Sequence, residues 1–332
     1  MVQQFVFLKP NRLLISLLAM FFSFQFAIAQ TKTKQAVTPK APIEKTATSA
    51  SSNIENLFEG YYKISLAGKH IGYLIARYDY DTKQKLFLAK TFQKIKTTSE
   101  EEMQSLVAVS DDGFNPVKYE FTSTLKQGEK TKIRTIDAQF KANKMTALFQ
   151  EDGVKKTIKK DIPKGVFLST FLTYLILKQP KGLTSNLNIN YSAIAEEDAD
   201  IYAGKVSTGT VQKMKNLSVY EAKTEYKQNQ FVAYITDRGE VLGTASPLSN
   251  VNSELVAQPS EATQGMELNS KTLQTLFGEV PFGINNMIAK AARANSILPQ
   301  NEEGGKTFGV QPGQGIQIKN TSPTAQPEQK GK

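Results

Sequence analysis

Alternation of apolar and polar side chains dominates the middle of this chain. Val117, Tyr119, Phe121, Ser123 and Leu125 share one face of an extended segment, with Lys118, Glu120, Thr122 and Thr124 on the other. A two-residue period of this kind is what a half-buried antiparallel strand requires. Tyr62, Ile64 and Leu66 alternate in the same way with Tyr61, Lys63 and Ser65. Ala67-Gly68-Lys69 then turns the chain, and Ile71, Tyr73 and Ile75 continue the pattern, which predicts a hairpin. Further strands are predicted over 86–96, 103–109, 132–140, 144–150, 186–195, 206–214, 217–226 and 231–236. Turn residues separate them at Asp111-Asp112-Gly113, Gln127-Gly128, Glu151-Asp152-Gly153 and Asp237-Arg238-Gly239. Many strands joined by tight turns predict a mainly β fold, a curved antiparallel sheet or open barrel.

One apolar helix is expected to interrupt the strands. Pro163 opens it, Gly165 to Lys178 carries Phe167, Phe171, Tyr174, Leu175 and Leu177, and Pro180 stops it. So apolar a segment must be buried, across the concave face of the sheet. It is either the plug of the core or the wall of a cavity. In the second case Phe167, Phe171 and Tyr174 would line a ligand site together with Tyr119 and Phe121. After Ala257 the strand pattern stops. A short helix fits 270–277. A second fits 285–296, with Ile284, Ile288, Ala291 and Ala292 on one side, able to dock on the sheet or on a partner.

The two ends differ from this middle. Lys9 and Arg12 precede an uncharged apolar stretch, 13–26, followed by Ala27-Ile28-Ala29. That is the pattern of a secretory signal peptide, too short to span a bilayer comfortably. The expected organisation is a signal peptide over 1–29, a linker over 30–53 rich in Lys, Thr, Ala, Ser and Pro, and a β-rich domain over 54–257. A short helical segment over 258–300 and a polar tail over 301–332 complete it. The expected location is the periplasm, with the envelope surface or the exterior as alternatives.

The chain has no cysteine, which excludes disulfides, a thiol nucleophile, a thiolate metal site and a lipid on an N-terminal cysteine. Its net charge is +10, and +8 once Lys9 and Arg12 leave with the signal. An exported basic protein suits anionic glycans, lipid head groups or an acidic envelope protein, and not nucleic acid; a peripheral membrane contact fits the same charge. The same lysines can equally be a solvated face.

Motifs with chemistry are sparse. His70 is the one histidine and falls in a tight turn, so no catalytic or zinc role is expected of it. Ser123 and Lys126 have S-x-x-K spacing, but at the end of a strand they point to opposite faces. Glu196-Glu197-Asp198 with Asp200 could hold calcium, yet the EF-hand spacing is absent and a solvated loop is expected. Glu100-Glu101-Glu102 is read the same way. The tyrosines are expected to complete the core and its cross-strand pairs. No catalytic residue, cofactor site or metal site is assigned.

The stretch Glu59-Gly60-Tyr61-Tyr62-Lys63-Ile64-Ser65-Leu66-Ala67-Gly68-Lys69-His70-Ile71-Gly72-Tyr73 resembles the opening of a β-rich domain of unknown function found in exported bacterial proteins. The likeness continues at Asp112-Gly113-Phe114-Asn115-Pro116, at 166–177 followed by Lys181-Gly182-Leu183, and at Tyr234-Ile235-Thr236-Asp237-Arg238-Gly239-Glu240-Val241. Similar modules precede transglutaminase-like domains, whose catalytic half has no counterpart here. The resemblance implies a curved antiparallel sheet against a helix, similar to lipoprotein-carrier folds, and no activity. Three functions stay open: a non-catalytic envelope binding or scaffold module, a carrier of a lipid or other hydrophobic ligand, and a hydrolase built from carboxylates. A carrier needs an apolar cavity of roughly 300 Å³ or more. A scaffold needs a filled core and an exposed apolar or charged patch. A hydrolase needs converging acids in a cleft.

Overall fold

The computed structural model of the chain describes residues 53–297. The expected signal peptide, the linker up to its last residue and the C-terminal tail lie outside them. The described chain begins with eight strands in a meander: β1 (Ile54–Leu66), β2 (Lys69–Asp81), β3 (Leu86–Lys96), β4 (Glu100–Asp111), β5 (Pro116–Gln127), β6 (Lys130–Lys141), β7 (Lys144–Glu151) and β8 (Val154–Asp161). A crossing segment follows, with β9 (Phe167–Leu168), a 3-10 turn at Ser169–Phe171 and α1 (Leu172–Leu177). A second meander returns through β10 (Asn188–Ala195), β11 (Asp200–Met214), β12 (Leu217–Tyr226), β13 (Asn229–Thr236), β14 (Val241–Ser246) and β15 (Val251–Val256). Three helices close the described chain: α2 (Pro259–Thr263), α3 (Ser270–Phe277) and α4 (Met287–Ile297).

All fifteen strands form one open, curved sheet in the order β8-β7-β6-β5-β4-β3-β2-β1-β15-β14-β13-β12-β11-β10-β9. The first and last long strands therefore meet at its centre, where Tyr61 pairs with Val256 and Leu66 with Val251. Neighbours run antiparallel, and β9 alone runs parallel to its neighbour β10. Tight turns drive the meanders. Ala67 and Gly68 take φ of 48° and 81°, and Lys227 and Gln228 take 50° and 63°. Positive φ at both central residues is the hairpin geometry that matches strand twist.

The core lies on both sides of the central strands. The inner cluster joins Tyr62, Ile64, Leu106, Phe121 and Ile136 of the first meander to Ile194, Leu242 and Leu255 of the second, with Phe167 and Phe171 of the crossing segment between them. A separate outer cluster packs Tyr61, Tyr73, Ile75, Phe92 and Val256 beneath Ala262 of α2 and Leu273 and Phe277 of α3. Tyr61 is thus as buried as Tyr62, although the alternation expects it on a polar face. The reason is the helical segment, which covers the back of the sheet where solvent would otherwise be. Tyr61 Oη donates to the Pro281 carbonyl at 2.9 Å, and the Gly283 amide donates to Glu59 Oε1 at 2.7 Å.

Two elements differ from expectation. The helix expected from Gly165 to Lys178 is only α1. Gly165 takes φ 84°, and Phe167–Leu168 pairs with Ala193 and Ile194 as the sheet edge, so the start of the apolar run is spent as a two-residue strand and a 3-10 turn. The last helix docks through Ile288 and Ala289, while Ile284, Ala291 and Ala292 are exposed. Its entry is fixed by polar contacts instead: Asn286 Nδ2 donates to the Glu59 carbonyl, and the Met287 amide to Glu240 Oε2 at 2.7 Å. No strand is predicted over 154–161, 241–246 or 251–256, and each is present.

Candidate functional site

Helix α1 leans on the inner face at the turn after β13. Gly239, at φ 82°, lets Leu177 approach so closely that a Cβ there would lie 2.4 Å from Leu177 Cδ1. Between α1 and the central strands is a cavity of about 50 Å³, lined by Tyr62, Leu74, Tyr78, Thr91, Tyr174 and Glu240 among others. It is mostly apolar and small beside the roughly 300 Å³ typical of a ligand pocket. The Tyr78 and Tyr174 rings meet at 5.1 Å. Burial pushes the Tyr62, Tyr78 and Tyr174 phenols up, so all three are neutral donors. Burial also raises the Glu240 carboxyl, which the Met287 amide partly offsets. A second hollow, of about 320 Å³, lies over β11–β13 among Lys205, Lys223, Glu225 and Gln230. Its walls mix polar and apolar surface, with Phe231, Val232 and Pro247 among the charged and amide side chains.

Of the five residues expected to line a ligand site, Tyr174 borders the cavity. Phe167, Phe171, Tyr119 and Phe121 are buried in the inner core. Phe171 is fully enclosed, 6.0 Å from Phe114 and 6.3 Å from Tyr78, ring to ring. Phe167 packs at 5.7 Å from Tyr191, and Tyr119 at 6.2 Å from Phe140.

The acidic cluster is not a solvated loop. Glu196 and Glu197 are 0% and 2% exposed, at the turn between β10 and β11. Ser169 Oγ donates to Glu196 Oε2 at 2.5 Å, and the Thr170 amide donates to Oε1 at 3.1 Å. Lys227, itself almost wholly buried, donates to Glu197 at 2.7 Å and to Asp198. Tyr202 Oη also donates to Asp198. The cluster survives burial because a cation and backbone donors satisfy it. Burial pushes Glu196 up to about 8; the Ser169 hydrogen bond opposes the shift, and the charge of Glu197 adds to it. Among the described residues, no group of three or more His, Asp or Glu is placed to hold a metal ion. The cluster clamps the crossing segment to the β10–β11 turn, and Ser169 touches the carboxylate without reaching a cleft.

Glu102 corrects a second expectation. Glu100 and Glu101 are half-exposed, but Glu102 points inward from β4 and is 1% exposed. Ser123 faces it from β5, while Lys126 is exposed on the other side. His70 Nε2 lies 3.0 Å from the Gly72 carbonyl at the start of β2, a local turn contact.

The wing formed by β6, β7 and β8 has a different character. Nine basic and four acidic residues lie between Lys130 and Asp161. Met145, Ala147 and Phe149 face inward and pair with Lys160, Ile158 and Lys156 of β8. Lys155, Thr157 and Lys159 therefore face outward, and all three are exposed. Ile133, Leu148 and Val154 are exposed beside them at 50%, 47% and 64%. Lysines along an edge strand discourage another chain from pairing with it. They also create a positive field along the wing. Sequence reasoning saw the lysines only as composition, because the register that groups them is set by the β7–β8 pairing.

No family model matches the chain, and no curated protein matches it. Among solved structures, a DUF1089 family protein from Pseudomonas aeruginosa, known from a crystal structure at 1.80 Å resolution, is similar at 10% identity and a TM-score of 0.28. The match covers 65% of this chain and 98% of that one. Among the described residues, no helix is long and apolar enough to cross a membrane.

Proposed function

We propose that the protein is exported to the cell envelope, works there without catalysis, and binds a phosphate-bearing partner through the basic wing of β6–β8. The observation that carries this reading is the outward, exposed row of lysines on a wing with an excess of five positive charges. Clustered exposed lysines favour anionic polymers and head groups, and the attraction is screened by salt. The signal-peptide pattern of the first 29 residues supports export, and the resemblance to β-rich modules that accompany transglutaminase-like domains supports an envelope role. The absence of catalysis is proposed from the buried, clamped state of Glu196 and from hollows that bring no two acids together, Glu240 standing alone in one and Glu225 in the other. Measured binding to vesicles containing phosphatidylglycerol and to lipopolysaccharide tests the reading and separates the two sources of phosphate. Affinity for at least one should exceed that for phosphatidylcholine vesicles and fall steeply between about 50 and 200 mM salt. Equal binding to neutral and anionic surfaces would contradict it.

The second reading is a carrier, favoured by the aromatic-lined cavity beside α1. Native mass spectrometry with lipid extraction, on protein purified from its own envelope, addresses it. One acyl species per chain would support the carrier; the bare mass would leave the wing as the binding surface.

A further inference from the structure

The inner face of β3–β6 carries a row of polar side chains in the midst of the core. Gln93 pairs with Gln104 across β3 and β4, Gln104 with Ser123 across β4 and β5, and Ser123 with Arg134 across β5 and β6. Glu102 stands beside the row on β4. Gln93, Glu102 and Gln104 are 2%, 1% and 4% exposed. Burying such groups is costly unless their hydrogen bonds are made. Only part of the set is made. Gln104 Nε2 donates to Glu102 Oε1 at 2.8 Å, and Ser123 Oγ donates to the same oxygen at 3.3 Å. Glu102 Oε2, Gln104 Oε1 and both amide atoms of Gln93 have no hydrogen-bond partner among the described residues. Three acceptors are left against one donor.

This row adjoins the cavity beside α1. Leu74 and Thr91 line that cavity. Leu74 is the direct neighbour of Gln93 across β2 and β3, and Thr91 precedes it by two residues on the same face. An apolar hollow and a row rich in acceptors are thus neighbours on one side of the sheet, meeting through Leu74 and Thr91. An ammonium group carries three donors and no acceptor, which complements three bare acceptors. A carboxylate or phosphate would meet three acceptors and only the Gln93 amide as donor, since Arg134 is already engaged by Glu151 at 2.8 Å.

We propose that this strip binds the protonated amine of a very small alkylamine, held by Glu102, Gln104 and Gln93, with its one or two carbons toward the neighbouring cavity. The site is separate from the basic wing and uses the other face of the sheet. Binding should depend on pH through Glu102. Burial raises its carboxyl to about 7 against the hydrogen bonds from Gln104 and Ser123; the charge of Glu100 on the same strand also raises it, and Arg134 on β6 lowers it. Ionisation on raising the pH through about 7 supplies the charge that the amine needs.

Calorimetric titration of the full purified protein with ethylammonium, ethanol and acetate, whose two carbons suit a cavity of about 50 Å³, tests the site. Ethylammonium should bind at one site, about tenfold or more tighter than the other two, as a charge-assisted hydrogen bond allows. It should bind more tightly at pH 8 than at pH 6. Glu102→Gln should weaken it about tenfold and remove the pH dependence. Gln93→Leu, which takes away both unpartnered amide atoms, should weaken it with no loss of pH dependence and serves if the first variant does not fold. Equal affinity for ethanol, preference for acetate, no binding by any of the three, or a Glu102→Gln protein that binds ethylammonium as before would each overturn the proposal.

Discussion

The wing, together with the adjoining β5, and the centre β1, β2 and β15 are parts of one sheet, yet they are built on different terms. In the wing one face is wet. Tyr119, Phe121 and Leu125 are buried while Lys118, Glu120 and Lys126 are exposed. At the centre both faces are dry. Tyr62 and Ile64 pack inward, whereas Tyr61, Tyr73 and Ile75 pack outward beneath α2 and α3. The contrast separates stability from recognition. Substitutions at the centre and in the crossing segment should cost folding, and substitutions on the wing's outer face should cost binding alone.

The largest effect is expected at Phe171, which plugs the inner face. Phe171→Asp removes a ring with no exposed surface and buries an unpaired charge, at a cost of several kcal/mol. The purified variant should show no cooperative thermal transition. A normally melting Phe171→Asp protein would make α1 a movable lid and erase the distinction between core and site. Lys227→Met comes next. It leaves Glu197 and Asp198 buried without their cation, at a cost of about 3–5 kcal/mol by urea unfolding. Leu273→Ala tests the outer layer. A fully buried leucine should cost about 2–5 kcal/mol, and a loss below 1 kcal/mol would mean that α3 merely rests on the sheet.

A smaller effect concerns pH. The folded-state pKa of Glu196 is raised to about 8 and that of Glu102 to about 7, both above the unfolded carboxyl range. The folded protein therefore holds more protons than the unfolded chain between roughly pH 4.5 and 8. This contribution to stability is fully present below the unfolded pKa and is lost as pH rises through the folded values. Urea midpoints should fall from pH 5 to pH 8, and Glu196→Gln should flatten part of that slope.

Much of the fold is legible in the sequence, and the limits of β3 and β12 fall where the alternation places them. The strands that escape notice do so for physical reasons. In β8, Lys155, Lys156, Lys159 and Lys160 leave Ile158 as the one apolar residue that packs inward, because an edge strand needs little apolar surface. At the centre, Ser253 holds the inward position between Val251 and Leu255, which breaks the apolar period that would identify β15. The shortened helix reflects competition for one apolar run: Phe167 and Leu168 gain more by completing the sheet edge beside β10. The buried acids are hidden because charged residues are ordinarily read as surface. The cation that permits their burial, Lys227, lies 30 residues from Glu197 and becomes a partner only through the β12–β13 turn. The polar row has the same origin. Gln93 and Gln104 fall in predicted strands, and only the pairing of β3 with β4 brings them together.

The smallest expected effect on stability is also the most direct test of the central claim that the wing recognises and the core supports. Lys155→Glu/Lys159→Glu changes two exposed side chains on the outer face of β8. Its urea midpoint should match the unaltered protein to within about 0.5 kcal/mol per site. Measured beside the unaltered protein at about 0.1 M salt, its binding to the phosphate-bearing partner should fall about tenfold or more. Undiminished binding by a normally folded variant would contradict the account.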